Sequence, residues 1–214
     1  MDVKVIQKKL NEFGYNLTID GRMGPKTQAA VRDLQGKHGL KQDGIVGKNT
    51  FAILFPPQQK YKMMSTEQIT RKYGVPGPDN LIIIDLPYPM KIAWDLEYIT
   101  KRIQCHKLIA EPLKAVFNEL LEVYGLEEIQ RLGIDLYGGC YSFRKMRGGN
   151  NWSRHAWGIA IDLDPARNGL KTKAPEAVFS GPEYAAMIDI FYKHGFVGLG
   201  PEEDRDWMHF QIKE

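Results

Sequence analysis

The chain has 214 residues, 43% of them apolar, a formal charge of +3 and two cysteines. That length fits one medium domain or two small ones, and the composition excludes a disordered polymer. The mild charge lacks the strong basic stripe of a nucleic-acid binder, and two cysteines without a CxxC exclude a disulfide scaffold or a zinc finger.

The N-terminus, Met1-Asp2-Val3-Lys4-Val5-Ile6-Gln7, has no apolar core of a secretory signal. The expectation is a soluble protein made in the cytoplasm without a leader and with no membrane insertion. Ile6, Leu10 and Phe13 then form a helical stripe, as do Thr27, Ala30, Val31 and Leu34, and later Phe51 and Leu54. Between these stripes lies an internal repeat. Asp20-Gly21-Arg22-Met23-Gly24-Pro25-Lys26-Thr27 returns as Asp43-Gly44-Ile45-Val46-Gly47-Lys48-Asn49-Thr50, and both read DGxxGxxT. Asp-Gly marks a tight turn, the second glycine allows close backbone approach, and a helix opens near each threonine, with Pro25 suited to its first turn. Three short helices over residues 1–55 make a small all-α module.

Pro56-Pro57 ends this module and stiffens a linker near 56–64. Ser65-Thr66-Glu67-Gln68 reads as a capping box, opening a short helix that stops at Gly74-Val75-Pro76. Residues 56–80 are thus a linker and connecting helix. Residues 81–214 read as α+β around a central antiparallel sheet. Strands are expected at 81–86, 134–137, 158–164 and 207–212. Helices are expected at 108–124, with Pro112 near the start, and at 182–194, closed by Gly195.

The chemistry concentrates late in the chain. Ser153-Arg154-His155-Ala156-Trp157-Gly158-Ile159-Ala160-Ile161-Asp162 is followed far downstream by Asp206-Trp207-Met208-His209. Two histidines and a carboxylate can hold zinc while leaving a position for water. His155 precedes the strand on a loop, so it can curl back over Asp162. His209 lies on a later strand that can pair beside the first. Asp206, three residues before His209, can act as general base. Asp164 is a rival ligand, although Asp164-Pro165 more simply begins a turn. His194 and His38 sit at helix ends, where a histidine suits the dipole. The two cysteines read as free thiols.

Two resemblances follow from these motifs. Residues 3–54 resemble the three-helix peptidoglycan-binding domain family, on Val5-Ile6-Gln7, Leu10, Gly14-Tyr15, the two DGxxGxxT turns, Ala30-Val31, Leu34-Gln35 and Gly39-Leu40. Residues 81–214 are similar to the zinc peptidases that cleave peptidoglycan stem peptides: D-alanyl-D-alanine carboxypeptidases and dipeptidases, and the L-alanyl-D-glutamate endopeptidases of phage lysins. That similarity rests on SxHxxGxAxD and the terminal carboxylate-x-x-His-Phe. It implies one zinc ion per chain on His155, Asp162 and His209, with Asp206 as the catalytic carboxylate. It implies Arg144, within Tyr141-Ser142-Phe143-Arg144, as the group that steadies the carbonyl oxygen, with Arg147 and Arg154 as rivals. Ser153 takes the motif's leading serine, for substrate binding or for loop hydrogen bonding. Asp at position 206, where many members carry Glu, points toward the endopeptidase branch. Gln211 stands where many members carry Glu and can support a zinc-bound histidine. The resemblance implies a monomeric phage endolysin whose partner is bacterial peptidoglycan and which reaches the wall after release. A D-alanyl-D-alanine carboxypeptidase and a catalytically dead wall-binding protein are the alternatives.

Overall fold

The computed structural model describes residues 2–56 and 61–213. The chain divides into two compact units, residues 1–58 and 59–214. Linker residues 57–60 lie outside the described residues.

The first unit holds α1 (Val3–Glu12), α2 (Pro25–Lys37) and α3 (Lys48–Leu54). Val5, Ile6, Leu10, Ala30, Val31, Leu34 and Leu54 form its core. Phe13 lies outside that core, 42% exposed, because it caps α1 instead of continuing it. Each repeat turn is locked by a glutamine from the preceding helix. The Gln7 amide donates to Asp20 Oδ1, the Arg22 carbonyl and Thr27 Oγ1, and its oxygen accepts from the Gly21 N–H. Gln35 does the same with Asp43, Ile45, Thr50 and Gly44. The first glycine of each copy carries the left-handed backbone, φ +75° and +74°. The second does not permit a close approach, since a Cβ on Gly24 or Gly47 would meet nothing within 4 Å. It is the extended N-cap of the next helix.

In the second unit, α4 (Thr66–Tyr73) starts at the expected capping box, with both Ser65 and Gln68 hydrogen bonds made. A sheet follows: β1 (Leu81–Ile92), β2 (Asp95–His106), β3 (Leu136–Gly139), β4 (Ala160–Leu163), β5 (Phe196–Gly198) and β6 (His209–Ile212). The spatial order is β2-β1-β3-β4-β6-β5. The sheet is mixed, not purely antiparallel, because β1 and β3 pair in parallel through Lys91–Leu136 and Ile92–Tyr137. The α5 helix (Ala110–Tyr124) covers it with Leu113, Val116, Phe117 and Leu120 fully buried. Helices α6 (Leu126–Leu132), α7 (Ala185–Lys193) and α8 (Leu199–Glu203) complete the unit. The helix expected at 182–194 begins as a 3-10 turn, Pro182–Tyr184, before α7. No described helix is long and apolar enough to cross a membrane.

Candidate metal centre

Asp162 sits at the middle of the site because of strand register. It pairs with Gly139 of β3 on one side and with His209 of β6 on the other. Opposed residues of paired strands point to the same face, so Asp162 and His209 are brought together by the ladder itself. Gly138 is needed beside them, because a Cβ there would stand 3.0 Å from both the Cβ and the carbonyl oxygen of Asp162.

His155 arrives from a 3-10 turn, Arg154–Trp157, that precedes β4. Ser153 caps that turn, its Oγ accepting from the His155 N–H at 3.4 Å. Gly158 ends it in the left-handed conformation, φ +66°, and a Cβ there would lie 2.7 Å from Leu81 Cδ2 and 3.0 Å from the His106 nitrogen. Glycine therefore serves both the turn and its close approach to Leu81 and His106, at the start of β1 and the end of β2. The loop placement expected for His155 is thus a short, tightly held helical turn.

The three side chains converge. His155 Nε2 lies 3.2 Å from Asp162 Oδ1 and 3.2 Å from His209 Nδ1, and His209 Nδ1 lies 2.9 Å from Asp162 Oδ1. All three residues are buried. Zinc–ligand distances of about 2.0–2.1 Å in a tetrahedron put ligand atoms about 3.3 Å apart, so this triangle fits such an ion. The far ring nitrogens fit it too. His155 Nδ1 donates to the Cys140 carbonyl at 2.8 Å, and His209 Nε2 donates to Gln211 Oε1 at 3.1 Å. Each ring then carries its proton away from the centre and turns a lone pair inward. Where the inner nitrogens carry protons instead, hydrogen bonds and charge from His155 and His209 outweigh the burial that opposes ionisation of Asp162 and hold its carboxyl well below its usual range. Burial likewise opposes charging of His209, and Asp162 reverses this, raising its pKa. The pocket is electrostatically built for a cation.

Asp206 lies on the turn entering β6, in the left-handed region at φ +53°, with its carbonyl accepting from the His209 N–H at 2.9 Å. Its carboxylate is buried, and Oδ1 has no hydrogen-bond partner. Burial raises its pKa, and the nearby Asp162 adds to that, against the pull of His209 and Arg205. A buried carboxylate oxygen left without a partner is costly. The turn is held by Trp207, whose Nε1–H donates to Asp204 Oδ1 at 3.1 Å and whose ring lies against Gly200.

His155, Asp162, His209 and Asp206 border one cleft of about 700 Å³. Ser153 also lines it but is buried, and its hydroxyl is engaged in capping. Arg144 and Arg147 stand exposed on the rim. The Arg144 guanidinium donates to the Lys145 carbonyl at 3.3 Å. Arg154 is tied instead to the Met64 carbonyl. Asp164 is not at the centre: at φ +46° it leaves the strand and binds Arg167 and Asn168. His106 caps Leu108 and contacts the Tyr73 carbonyl, while His194 pairs with Glu119. Cys105 and Cys140 are free and buried. Trp157 is core, donating to the Gly74 carbonyl, whereas Trp152 packs on Phe143. Two contributors gave no signal in the sequence: the Cys140 carbonyl, because any residue supplies one, and Trp94, which lines the cleft from a hairpin turn.

Residues 1–54 match the peptidoglycan binding domain family, and residues 147–212 match the family described as D-alanyl-D-alanine carboxypeptidase. The chain is 47% identical over 45 residues, 21% of its length, to the zinc D-Ala-D-Ala carboxypeptidase of Streptomyces albus G. It is 50% identical over 54 residues, 24% of its length, to a Kitasatospora aureofaciens protein named "Uncharacterized protein in bpoA1 3'region". These matches span 18% and 46% of the two relatives. Residues 1–54 are thus similar to a peptidoglycan-binding domain, and residues 147–212 to a D-alanyl-D-alanine carboxypeptidase domain.

Proposed function

We propose that the chain is a peptidoglycan stem-peptide hydrolase, an L-alanyl-D-glutamate endopeptidase of the endolysin kind. The observation that carries this reading is the buried triangle of His155 Nε2, Asp162 Oδ1 and His209 Nδ1 beside Asp206, whose Oδ1 has no partner. These three side chains would hold one zinc ion. Such an ion supplies a Lewis acid and brings the pKa of water down to about 7. Asp206 takes the proton of the attacking water and returns it to the leaving amine. Arg144, on the rim, faces the charge that grows on the carbonyl oxygen. The N-terminal module holds the wall, which raises the local concentration of stem peptides around the cleft.

The aspartate at 206, shorter by one methylene than glutamate, supports the endopeptidase branch. The carboxypeptidase reading is supported by the printed descriptions of the matching family and relative. Digestion of purified peptidoglycan with the zinc-loaded chain, followed by HPLC and mass spectrometry, separates them. The endopeptidase yields new D-glutamate amino termini. Free D-alanine without those termini overturns it in favour of the carboxypeptidase. His155→Ala abolishes hydrolysis and leaves wall binding intact. Undiminished hydrolysis in that variant, or after chelation, refutes the metal mechanism, and a wild-type chain that binds wall but cuts nothing is the dead-enzyme alternative.

A further inference from the structure

The β1–β2 hairpin closes with a two-residue turn, Ala93-Trp94, flanked by the pair Ile92–Asp95. Its tip is fixed against β3, because the Ala93 N–H donates to the Tyr137 carbonyl at 2.9 Å. The next residues of β3 are Gly138 and Gly139, and Gly139 pairs with Asp162. From the hairpin tip to Asp162 is two strand spacings, about 10 Å. Gly138 and Gly139 between them carry no side chains, and a Cβ on Gly139 would meet nothing within 4 Å. Trp94 lines this end of the cleft and is 72% exposed. An indole left in water beside a reaction centre presents a flat apolar face with nothing on it.

The charges around the cleft are divided. Arg144 and Arg147 line it and suit the carboxylates of an acidic peptide, whereas Arg205 is paired with Glu203. Trp94 is followed instead by exposed Asp95 and Glu97, which repel them. An uncharged ring is the group that this end accepts. We infer that Trp94 is a stacking wall for an N-acetylated hexosamine, the sugar that carries the stem peptide. The inference rests on the endopeptidase reading, which puts that sugar one residue from the scissile bond. It makes Trp94 a specificity residue for glycan-attached over free peptide.

The test compares two substrates that differ only in the sugar: an N-acetylmuramoyl peptide and the same peptide with an N-acetylated L-alanine. In Trp94→Ala the ratio of their kcat/KM values falls about threefold to tenfold, and Trp94→Phe restores most of it. An unchanged ratio overturns the inference. In parallel, the indole N–H signal of Trp94 is followed by NMR as N-acetylmuramoyl-L-alanine is added to the full chain. If wild type cuts neither substrate, the hydrolase reading falls, and this signal still decides. A saturable shift supports the sugar site, and no shift overturns it.

Discussion

Gln211 offers the sharpest test of the metal reading, because it carries no charge and its amide oxygen is engaged by His209. Its Oε1 accepts from His209 Nε2 at 3.1 Å, and both residues are buried. Removing a neutral hydrogen bond of this kind costs about 0.5–1.5 kcal/mol, which is about two- to twelvefold in an equilibrium constant. Losing it also frees His209 to place its proton on Nδ1, the atom that faces Asp162. Supporting partners of this type are worth about 10- to 100-fold in metal affinity. Gln211→Ala is therefore expected to weaken zinc binding about tenfold. Gln211→Glu, which accepts the same hydrogen bond with a charge, is expected to bind at least as tightly as wild type. Competition against a chromophoric chelator measures both constants, and circular dichroism checks the fold. Equal affinity in wild type and a folded Gln211→Ala would refute the assignment of Nδ1 as the ligand atom.

Gln7→Ala and Gln35→Ala each strand a glycine N–H and remove three donor contacts in the first unit, while the threonine hydroxyls keep their bonds to the Arg22 and Ile45 carbonyls. The cost is about 2–4 kcal/mol apiece, against a total of about 3–8 kcal/mol for a module of about 55 residues. Hydrogen exchange in the full chain should show both variants losing protection in residues 2–56, and normal protection in either one counts against the lock. A Cβ on Gly200 would sit 2.2 Å from Trp207 Cδ2. Gly200→Ala should displace the ring beside Asp206, costing about 1–3 kcal/mol and most turnover, whereas an unaltered near-UV spectrum with full turnover would contradict this. Burial raises the Glu119 carboxyl, but Lys193 and His194 outweigh it and hold its pKa below the ordinary 4.5. Its stabilising contribution is complete above that pH and disappears as pH falls through the lower folded value. Urea midpoints of wild type and Glu119→Gln should differ at neutral pH and converge in acid, and a gap that widens in acid would reverse the sign.

What the sequence displays is local chemistry. The DG turns, the Ser65 capping box and the two separate segments Ser153–Asp162 and Asp206–His209 each depend on a few neighbouring residues. The second strand was not legible, because Asp95–Arg102 is wet on both faces and shows no apolar alternation. The first strand was expected to end at Leu86, since Pro87 and Pro89 argue against a ladder. Both prolines fall in the register break between Asp85 and Met90, so the strand runs on. The parallel β1–β3 pairing is long-range and leaves no mark on either segment. Gln7 and Gln35 do not stand out as a pair, because they lie 13 and 8 residues from their aspartates, outside the repeat.

The two histidine rings are oriented by different kinds of atom. His155 leans on a main-chain oxygen, that of Cys140, and His209 on a side chain, that of Gln211. No substitution at position 140 deletes a carbonyl, so the first orientation is inherited with the backbone. The second can be altered by a single codon. Variation among descendants of this chain should therefore adjust the grip on the ion at position 211, while the His155 side stays constant.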